Sequence, residues 1–466
     1  MTPIVSALVL TAGIVATATG GRLIAGASSR EFHGVSTDSR TIAPGALFVA
    51  LRGDRFDGHK FVAGALARGA AGVLASAPVS AIAVAVISVP DTLEALQRLG
   101  HDIRRRSGAR VVAITGSAGK TSTKEVTAEL LGTRYVVFRN RGNLNNHIGL
   151  PLSLTELAAG QDVAVVELGM NHPGEIRRLV GIAEPDVRVW TNVGDAHIGF
   201  FGSREAIARA KAEILERATP ATVVVANADD ALVMSHVGTF TGRRVTFGES
   251  PAADIRASQV VDRGFDGTTA EIVTPVGRAQ FTVPLAGRAQ LSNVLAATAV
   301  ALEFKIPLED VVARVKTLAP VARRGAITAL PSGARLVDDS YNASPAAVSM
   351  MLAALAATRT SGRRIAVLGE MLELGDQAIA LHDASGRAAA RAGVDVLVVI
   401  GGPPADGLAA GASAAGLDRS RIHRFADSAS AAEPVARLVA PGDLVLVKGS
   451  HGTRTDIVAD RLKEGA

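Results

Sequence analysis

The residues best equipped for chemistry lie in "VVAITGSAGKTSTKE", residues 111–125, where an apolar run enters Gly116, Ser117, Ala118, Gly119, Lys120 and Thr121. Glycines let backbone N–H groups turn inward around an anion, and a following helix adds the partial positive charge of its N-terminus. Lys120 is then placed to bridge β- and γ-phosphates, and the Thr121 hydroxyl to reach Mg²⁺. The spacing is unusual. G-x-x-x-x-G-K-[ST] would put a glycine at position 114, where this chain has Ile114. The competing reading is a plain glycine turn between a strand and a helix.

Three more groups stand at the ends of apolar stretches. Glu167 closes "DVAVVELG", and a carboxylate at the carboxyl end of a parallel strand beside a phosphate loop suits Mg²⁺, a hard cation that prefers oxygen. His197 follows the next strand in "TNVGDAHIGFFGS", again at a carboxyl end, which favours a functional role over a structural one. "LVDDSYNASP" places two acids, a tyrosine and an asparagine at a later strand end, with Ser344 and Pro345 also readable as a helix cap. Lys211, in "ARAKAEIL", is one of eight lysines and reads as a solvated helix lysine.

Positioning such groups calls for a parallel sheet. From Asp91 onward, near-continuous apolar strands ("VVAIT", "DVAVVELG", "DVRVWTNVG", "TVVVANADD") alternate with helical segments such as "GEIRRLVGIA" and "REAIARAKAEILERA". That alternation predicts an α/β fold with helices on both sheet faces. Residues 254–286 read as a β-rich insert, followed by the helix "QLSNVLAATAVALEF". A second strand–helix series contains "RRIAVLGEM", "VDVLVVIGG" and "DLVLVKGS". Pro90 ends the strand "AIAVAVISV" and Asp91 can cap a helix, so "SVPD" marks a joint. Three α/β domains result: 1–90, a central phosphate-loop domain over 91–318, and a Rossmann-like domain over 319–466. Turn-rich stretches such as "RGDRFDGHKF" punctuate the first.

Composition narrows the function. At 466 residues with 48% hydrophobic and 20% charged residues, the chain suits a globular multidomain enzyme. Only 3% is aromatic, too little for the stacking platforms of a nucleic-acid surface. With no cysteine, disulfides, thiolate nucleophiles and Cys-ligated metals drop out, leaving oxygen or imidazole for any metal. "PIVSALVLTAGIVATATGG" lacks a basic n-region and is interrupted at Thr11 and Gly13, so it predicts a first helix ending at Gly20-Gly21 rather than a signal peptide or membrane anchor. A cytoplasmic protein is expected. The residues alone do not choose between phosphorylating a substrate and using phosphate to activate one.

In its motifs the chain resembles the Mur ligase family of ATP-dependent amide-forming enzymes of peptidoglycan synthesis. That family's compact loop, T-G-x-x-G-K-[TS], appears as "TGSAGKTS" and includes Ser122, which makes Ile114 an expected residue. "GVSTDSR" and "LFVALRGDRFDGHKFV" resemble its uridine-nucleotide-binding domain. "NLNNHIGLPLSL", "DDSYNASP" and "VLGEMLELG" followed by His382 resemble its dipeptide-adding branch, and the D-N-P-R motif of a sister branch is absent. The resemblance implies ATP and Mg²⁺ as cofactors, a UDP-N-acetylmuramoyl tripeptide and D-alanyl-D-alanine as substrates, and a monomer. A sister ligase with another amine, or a phosphate-loop kinase, are the alternatives.

Residue by residue, the resemblance implies that Lys120 and Thr121 hold phosphate and the first metal, and that Glu167 serves the metals. His197 would be a second-metal ligand, and Lys211, in N-carboxylated form, another. Asn293 would contact adenine, while Arg324 and Asp339 would reach ATP. Ser36, Thr37, Asp38, Ser39 and Arg40 would form the uridine-diphosphate loop, with Asp57, Gly58 and His59 nearby in the same domain. Asn145, Asn146, Tyr341 and Asn342 would serve substrate. Where the family usually reads K-G-S-R, this chain has Lys448-Gly449-Ser450-His451, so a cationic role there would pass to Arg454 or be lost.

Overall fold

The computed structural model describes residues 6–53, 56–80 and 83–465. Pro3–Val5 of the apolar N-terminal stretch, Asp54 and Arg55 of "RGDRFDGHKF", and Ala81 and Ile82 of "AIAVAVISV" lie outside the described residues. The chain forms two compact units: Met1–Ile114, Arg134–Arg188 and Glu213–Thr222 in the first; Thr115–Thr133, Val189–Ala212 and Val223–Ala466 in the second.

In the first unit, the expected helix spans Ala12–Thr19. Thr11 caps its start, and Gly20 ends it with a left-handed φ of 68°. It belongs with a five-stranded sheet ordered Arg22–Ala25, Ala85–Ser88, Gly72–Ala75, Leu47–Val49, Val35–Ser36, in which only the first pair is antiparallel. Phe48, Val62 and Val73 lie in its core. Asp91 caps the Thr92–Ser107 helix by accepting from the Leu93 and Glu94 amides, as "SVPD" predicts. The strands Val137–Arg139, Val163–Glu167 and Arg110–Thr115 pair in parallel, with Glu167 in register with Ile114. Every residue of Val163–Glu167 is buried, as an apolar run in a two-sided parallel sheet must be.

In the second unit, Val223–Asn227 pairs in parallel with Arg243–Gly248, which pairs in parallel with Ile255–Asp262. The latter continues antiparallel into Thr268–Thr274 and Gly277–Val283. The expected β-rich segment 254–286 thus forms three strands that extend this sheet edge. The buried Arg288–Glu303 helix packs on the Lys120–Leu131 helix.

A six-stranded sheet completes this unit in the order Ala326–Ala329, Arg335–Asp339, Leu444–Lys448, Arg364–Gly369, Val396–Ile400, Ile422–Phe425. Only the first pair is antiparallel. Its last strand, Ile-His-Arg-Phe, is short and half polar, and no apolar run announces it. Ser344 and Pro345 open the Pro345–Ala357 helix as a cap and first residue. "REAIARAKAEILERA" is α-helical only over Arg204–Ala212 and tightens to a 3-10 turn at Glu213–Leu215.

Candidate functional site

The phosphate loop is built as a braced turn. Gly116 and Gly119 hold φ values of 153° and 80°, a region other residues rarely adopt. A Cβ on Gly116 would overlap the Thr191 hydroxyl, and one on Gly119 the Asn293 side-chain oxygen. The segment after Trp190 forms the brace. The Ser117 amide donates to the Asn192 carbonyl at 3.1 Å, and the Ala118 amide to Asn192 Oδ1 at 2.8 Å. Thr191 Oγ1 donates to the Ala118 carbonyl at 2.7 Å. Ser117 Oγ accepts from the Gly194 amide at 2.9 Å. Lys120 Nζ donates to the Gly116 carbonyl at 2.7 Å, folding its charge back over the loop.

Asn293, expected against adenine, accepts from Thr123 Oγ1 at 3.1 Å and donates to Gln290 at 2.9 Å, beneath the loop's helix. Thr191 and Asn192 were not among the residues expected here. They lie inside "TNVGDAHIGFFGS", where the strand-end position that singles out His197 applies to them equally.

Lys211 corrects the expectation of a solvated lysine: it is 1% exposed. Its helix position explains why. Lys211 follows the buried Ile207 by four residues and the buried Ala208 by three, which places it on the inward face. Burial drives its amine pKa well below the usual value, and the charge of Lys120 lowers it further. Both effects favour the deprotonated amine.

His197 adopts a left-handed φ of 66°. Its Nδ1 lies 2.6 Å from Glu373 Oε2. The hydrogen bond from His197 holds the Glu373 carboxyl below its ordinary pKa, against the effect of burial.

A second cluster gathers residues of "LVDDSYNASP" and the C-terminal strand. Asp339 accepts from Lys448 Nζ at 2.6 Å, and Lys448 also donates to the Asn342 carbonyl at 2.9 Å. Burial raises the Asp339 pKa, opposed first by Lys448 and then by Arg324. The Arg324 guanidinium sits 4.1 Å over the Tyr341 ring, whose other neighbour is the His451 ring at 5.8 Å, edge-on. Arg454, the other cation considered for the role of position 451, pairs with Asp456 at 3.1 Å.

Lys448 is 3% exposed, so Asp339→Ala strands a buried ammonium. Such a loss costs about 3–5 kcal/mol. Urea denaturation of Asp339→Ala, of Lys448→Met and of the double variant is expected to show the acid's loss as the larger effect, with partial recovery in the double.

Glu167, Asn145, Asn146, Ser36–Arg40 and Asp57–His59 belong to the first unit, and the remaining candidates to the second. The Glu167 amide donates to Asn140 Oδ1 at 3.2 Å, and its carboxylate accepts from Asn145 Nδ2 at 3.4 Å. Asn146 Oδ1 accepts from the Ile148 and Gly149 amides, so that side chain shapes the turn into the Gly149–Leu154 helix. In the Ser36–Arg40 turn, which includes Thr37 and Ser39, Ser36 Oγ accepts from the Asp38 amide. Arg40 lowers the Asp38 carboxyl to about 2. Asp57 accepts from His59 Nδ1 at 2.6 Å, and His59 Nε2 accepts from the Ser76 amide at 3.0 Å. The Gly58 amide donates to the Leu51 carbonyl at 2.7 Å.

Three family models match the chain. Residues 31–104 match the "Mur ligase family, catalytic domain", 114–301 the "Mur ligase middle domain", and 323–451 the "Mur ligase, glutamate ligase domain". The chain is 34% identical to UDP-N-acetylmuramoyl-tripeptide–D-alanyl-D-alanine ligase of Bacillus subtilis, covering 93% of both chains. It is 35% identical to the Escherichia coli protein of the same name, covering 92% of this chain and 93% of that one.

Among solved structures, MurF from Acinetobacter baumannii superposes with a TM-score of 0.88 at 31% identity, covering 98% and 99% of the two chains. MurF from Thermotoga maritima in complex with ADP gives 0.81 at 30% identity, covering 92% and 97%. The chain belongs to the Mur ligase family, and within it groups with the UDP-N-acetylmuramoyl-tripeptide–D-alanyl-D-alanine ligases.

Proposed function

We propose that this chain is an ATP-dependent ligase that joins the carboxylate of a UDP-N-acetylmuramoyl tripeptide to the amine of D-alanyl-D-alanine. The observation that supports it most is the occurrence, inside one unit, of a braced phosphate loop and a desolvated lysine within electrostatic reach of Lys120.

A carboxylate is a poor acyl donor because its leaving group would be oxide. Transfer of the γ-phosphoryl group of ATP to a carboxylate oxygen gives an acyl phosphate and ADP. The dipeptide amine then adds to the acyl carbon, loses a proton, and the tetrahedral intermediate expels inorganic phosphate. The N-terminus of the Lys120–Leu131 helix and Lys120 spread the charge of the transferring phosphoryl group, and Lys120 moves from the Gly116 carbonyl to the phosphate when nucleotide binds.

Mg²⁺ takes hard oxygen ligands, which the Thr121 hydroxyl and a carbamate on Lys211 would supply, while His197 would add an imidazole nitrogen. In the second unit the candidates are the Thr121 hydroxyl, His197 and Lys211; in the first, Glu167. Lys211 joins them because burial favours its deprotonated amine, which can add carbon dioxide and lose a proton to become a carbamate, an oxygen donor. Bound to the donors of the second unit, Mg²⁺ would neutralise phosphate charge. Asp339 and Arg324 reach ATP in this reading, and the Ser36–Arg40 turn takes the uridine diphosphate.

The test is phosphate release with each substrate omitted in turn, together with the product's mass. Release is expected only with ATP, tripeptide nucleotide and dipeptide together, and the product mass should equal acceptor plus dipeptide minus water. A stable phosphorylated acceptor would make the protein a kinase and overturn the reading.

A further inference from the structure

Residues 370–375 approach His197 as a preset clamp. Three consecutive amides of this segment are tied down: Glu370 to the Ile400 carbonyl at 2.8 Å, Met371 to His382 Nε2 at 2.9 Å, and Leu372 to Ser450 Oγ at 3.0 Å. The buried His382 is itself fixed, since its Nδ1 donates to the Ala378 carbonyl at 2.7 Å. That bond assigns the ring proton and explains why Nε2 can accept.

The next residue, Glu373, makes two contacts with the His197 loop. Its carbonyl accepts from the Gly199 amide at 3.1 Å, and its carboxylate meets His197 Nδ1 at 2.6 Å. The backbones nearly touch: a Cβ on Gly199 would fall 2.6 Å from the Gly375 amide nitrogen. Glu373 and His197 both sit in the left-handed region, at φ 65° and 66°. Non-glycine residues held there cost about 1–3 kcal/mol each and persist where their surroundings dictate them, above all at functional sites.

We propose that Glu373 is a positioning residue for His197, holding the ring proton on Nδ1 so that Nε2 is the nitrogen left with a lone pair for the reaction. An ionised carboxylate only accepts hydrogen bonds, so the nitrogen facing it must carry hydrogen. Histidines that serve as ligands commonly have their second nitrogen held by a carboxylate in this way, and losing such a partner typically costs 10–100-fold in affinity or activity. Because Glu373 comes from the sheet that follows the nucleotide-binding region in the chain, the same contact makes His197 orientation depend on where that sheet's loop is seated. The inference rests on the reading of His197 as a member of the reaction site.

The test uses full-length Glu373→Ala and Glu373→Gln proteins, checked by circular dichroism. Long-range ¹H–¹⁵N spectra of the His197 imidazole report the tautomer without turnover. In the parent protein the hydrogen should reside on Nδ1. Glu373→Ala should shift the ring toward the Nε2–H form, with kcat lowered about 10–100-fold and KM for ATP changed less. Glu373→Gln, whose amide oxygen still accepts, should keep the Nδ1–H signature and most of the turnover.

An unchanged tautomer in Glu373→Ala would overturn the proposal, as would a shifted tautomer with unchanged kcat. Should Glu373→Ala fail to fold, a Glu373→Gln protein lacking the Nδ1–H signature overturns it instead. Failure of the ligase reading shows separately, as parent protein that releases phosphate without both substrates.

Discussion

Lys120→Met is expected to reduce amide-forming turnover by at least about 10²–10³-fold, the usual cost of deleting one preorganised group that stabilises transition-state charge. The local fold should survive. The loop's shape is set by Gly116 and Gly119 and by the Thr191 and Asn192 brace, none of which needs the ammonium. The lost bond from Nζ to the Gly116 carbonyl exposes that carbonyl to incoming water, so the stability change should stay near the ~1 kcal/mol of a typical hydrogen bond.

Rapid-quench measurement of phosphoryl transfer, alongside thermal unfolding, separates the two effects. Methionine keeps the side chain's length and apolar stem, so a loss of rate cannot be assigned to a hole in the packing. A variant with near-parental phosphoryl transfer would remove Lys120 from the chemistry. The deficit should also fall mainly on kcat, because the helix N-terminus that favours the ground-state phosphates remains.

What the sequence disclosed follows the range of the forces involved. Local signals were legible. Asp91 and Ser344 cap the helices their residue types announce, and apolar runs predict the buried parallel strands around Glu167. Gly116 and Gly119 take the backbone conformations that their residue type announces. The partners of those residues were not legible. Glu373 lies 176 residues from His197, and Lys448 lies 109 from Asp339, so no local pattern joins them. Asn293 shows the same limit, since its side-chain oxygen accepts from Thr123, 170 residues away. The extra strand Ile422–Phe425 escaped notice because an edge position demands little apolar character. Lys211 is different, since its signal was present. A lysine four residues after Ile207 occupies a position that helical periodicity reserves for the core, and a charge-bearing residue there is itself a sign of function.

Lys211 should accordingly show opposite effects on activity and stability. On the proposed role of its carbamate as a metal ligand, Lys211→Met is expected to lose ligase activity by about 10²-fold or more, yet to unfold at a higher temperature. Methionine fills a similar volume without requiring an amine to be desolvated. The pH dependence has a definite sign. In carbon-dioxide-free buffer the amine's folded pKa lies well below 10.5, so between those two values the unfolded chain binds one more proton than the folded one. Stability of the parent therefore rises with pH through that window, by up to about 1.4 kcal/mol per unit. The penalty is fully present below the folded pKa and gone above the unfolded one. The stability advantage of Lys211→Met should thus be largest at the acidic end and shrink as pH approaches 10, read from urea midpoints at several pH values.

Lys211→Ala gives the complementary test, because it opens space where the carbamate would stand. Short carboxylates such as acetate or propionate should restore part of its activity, and leave Lys211→Met, whose side chain fills that space, unrescued. Parent-level activity in either variant without additive would exclude Lys211 from the reaction. Rescue of both alike would show that the added anion acts elsewhere.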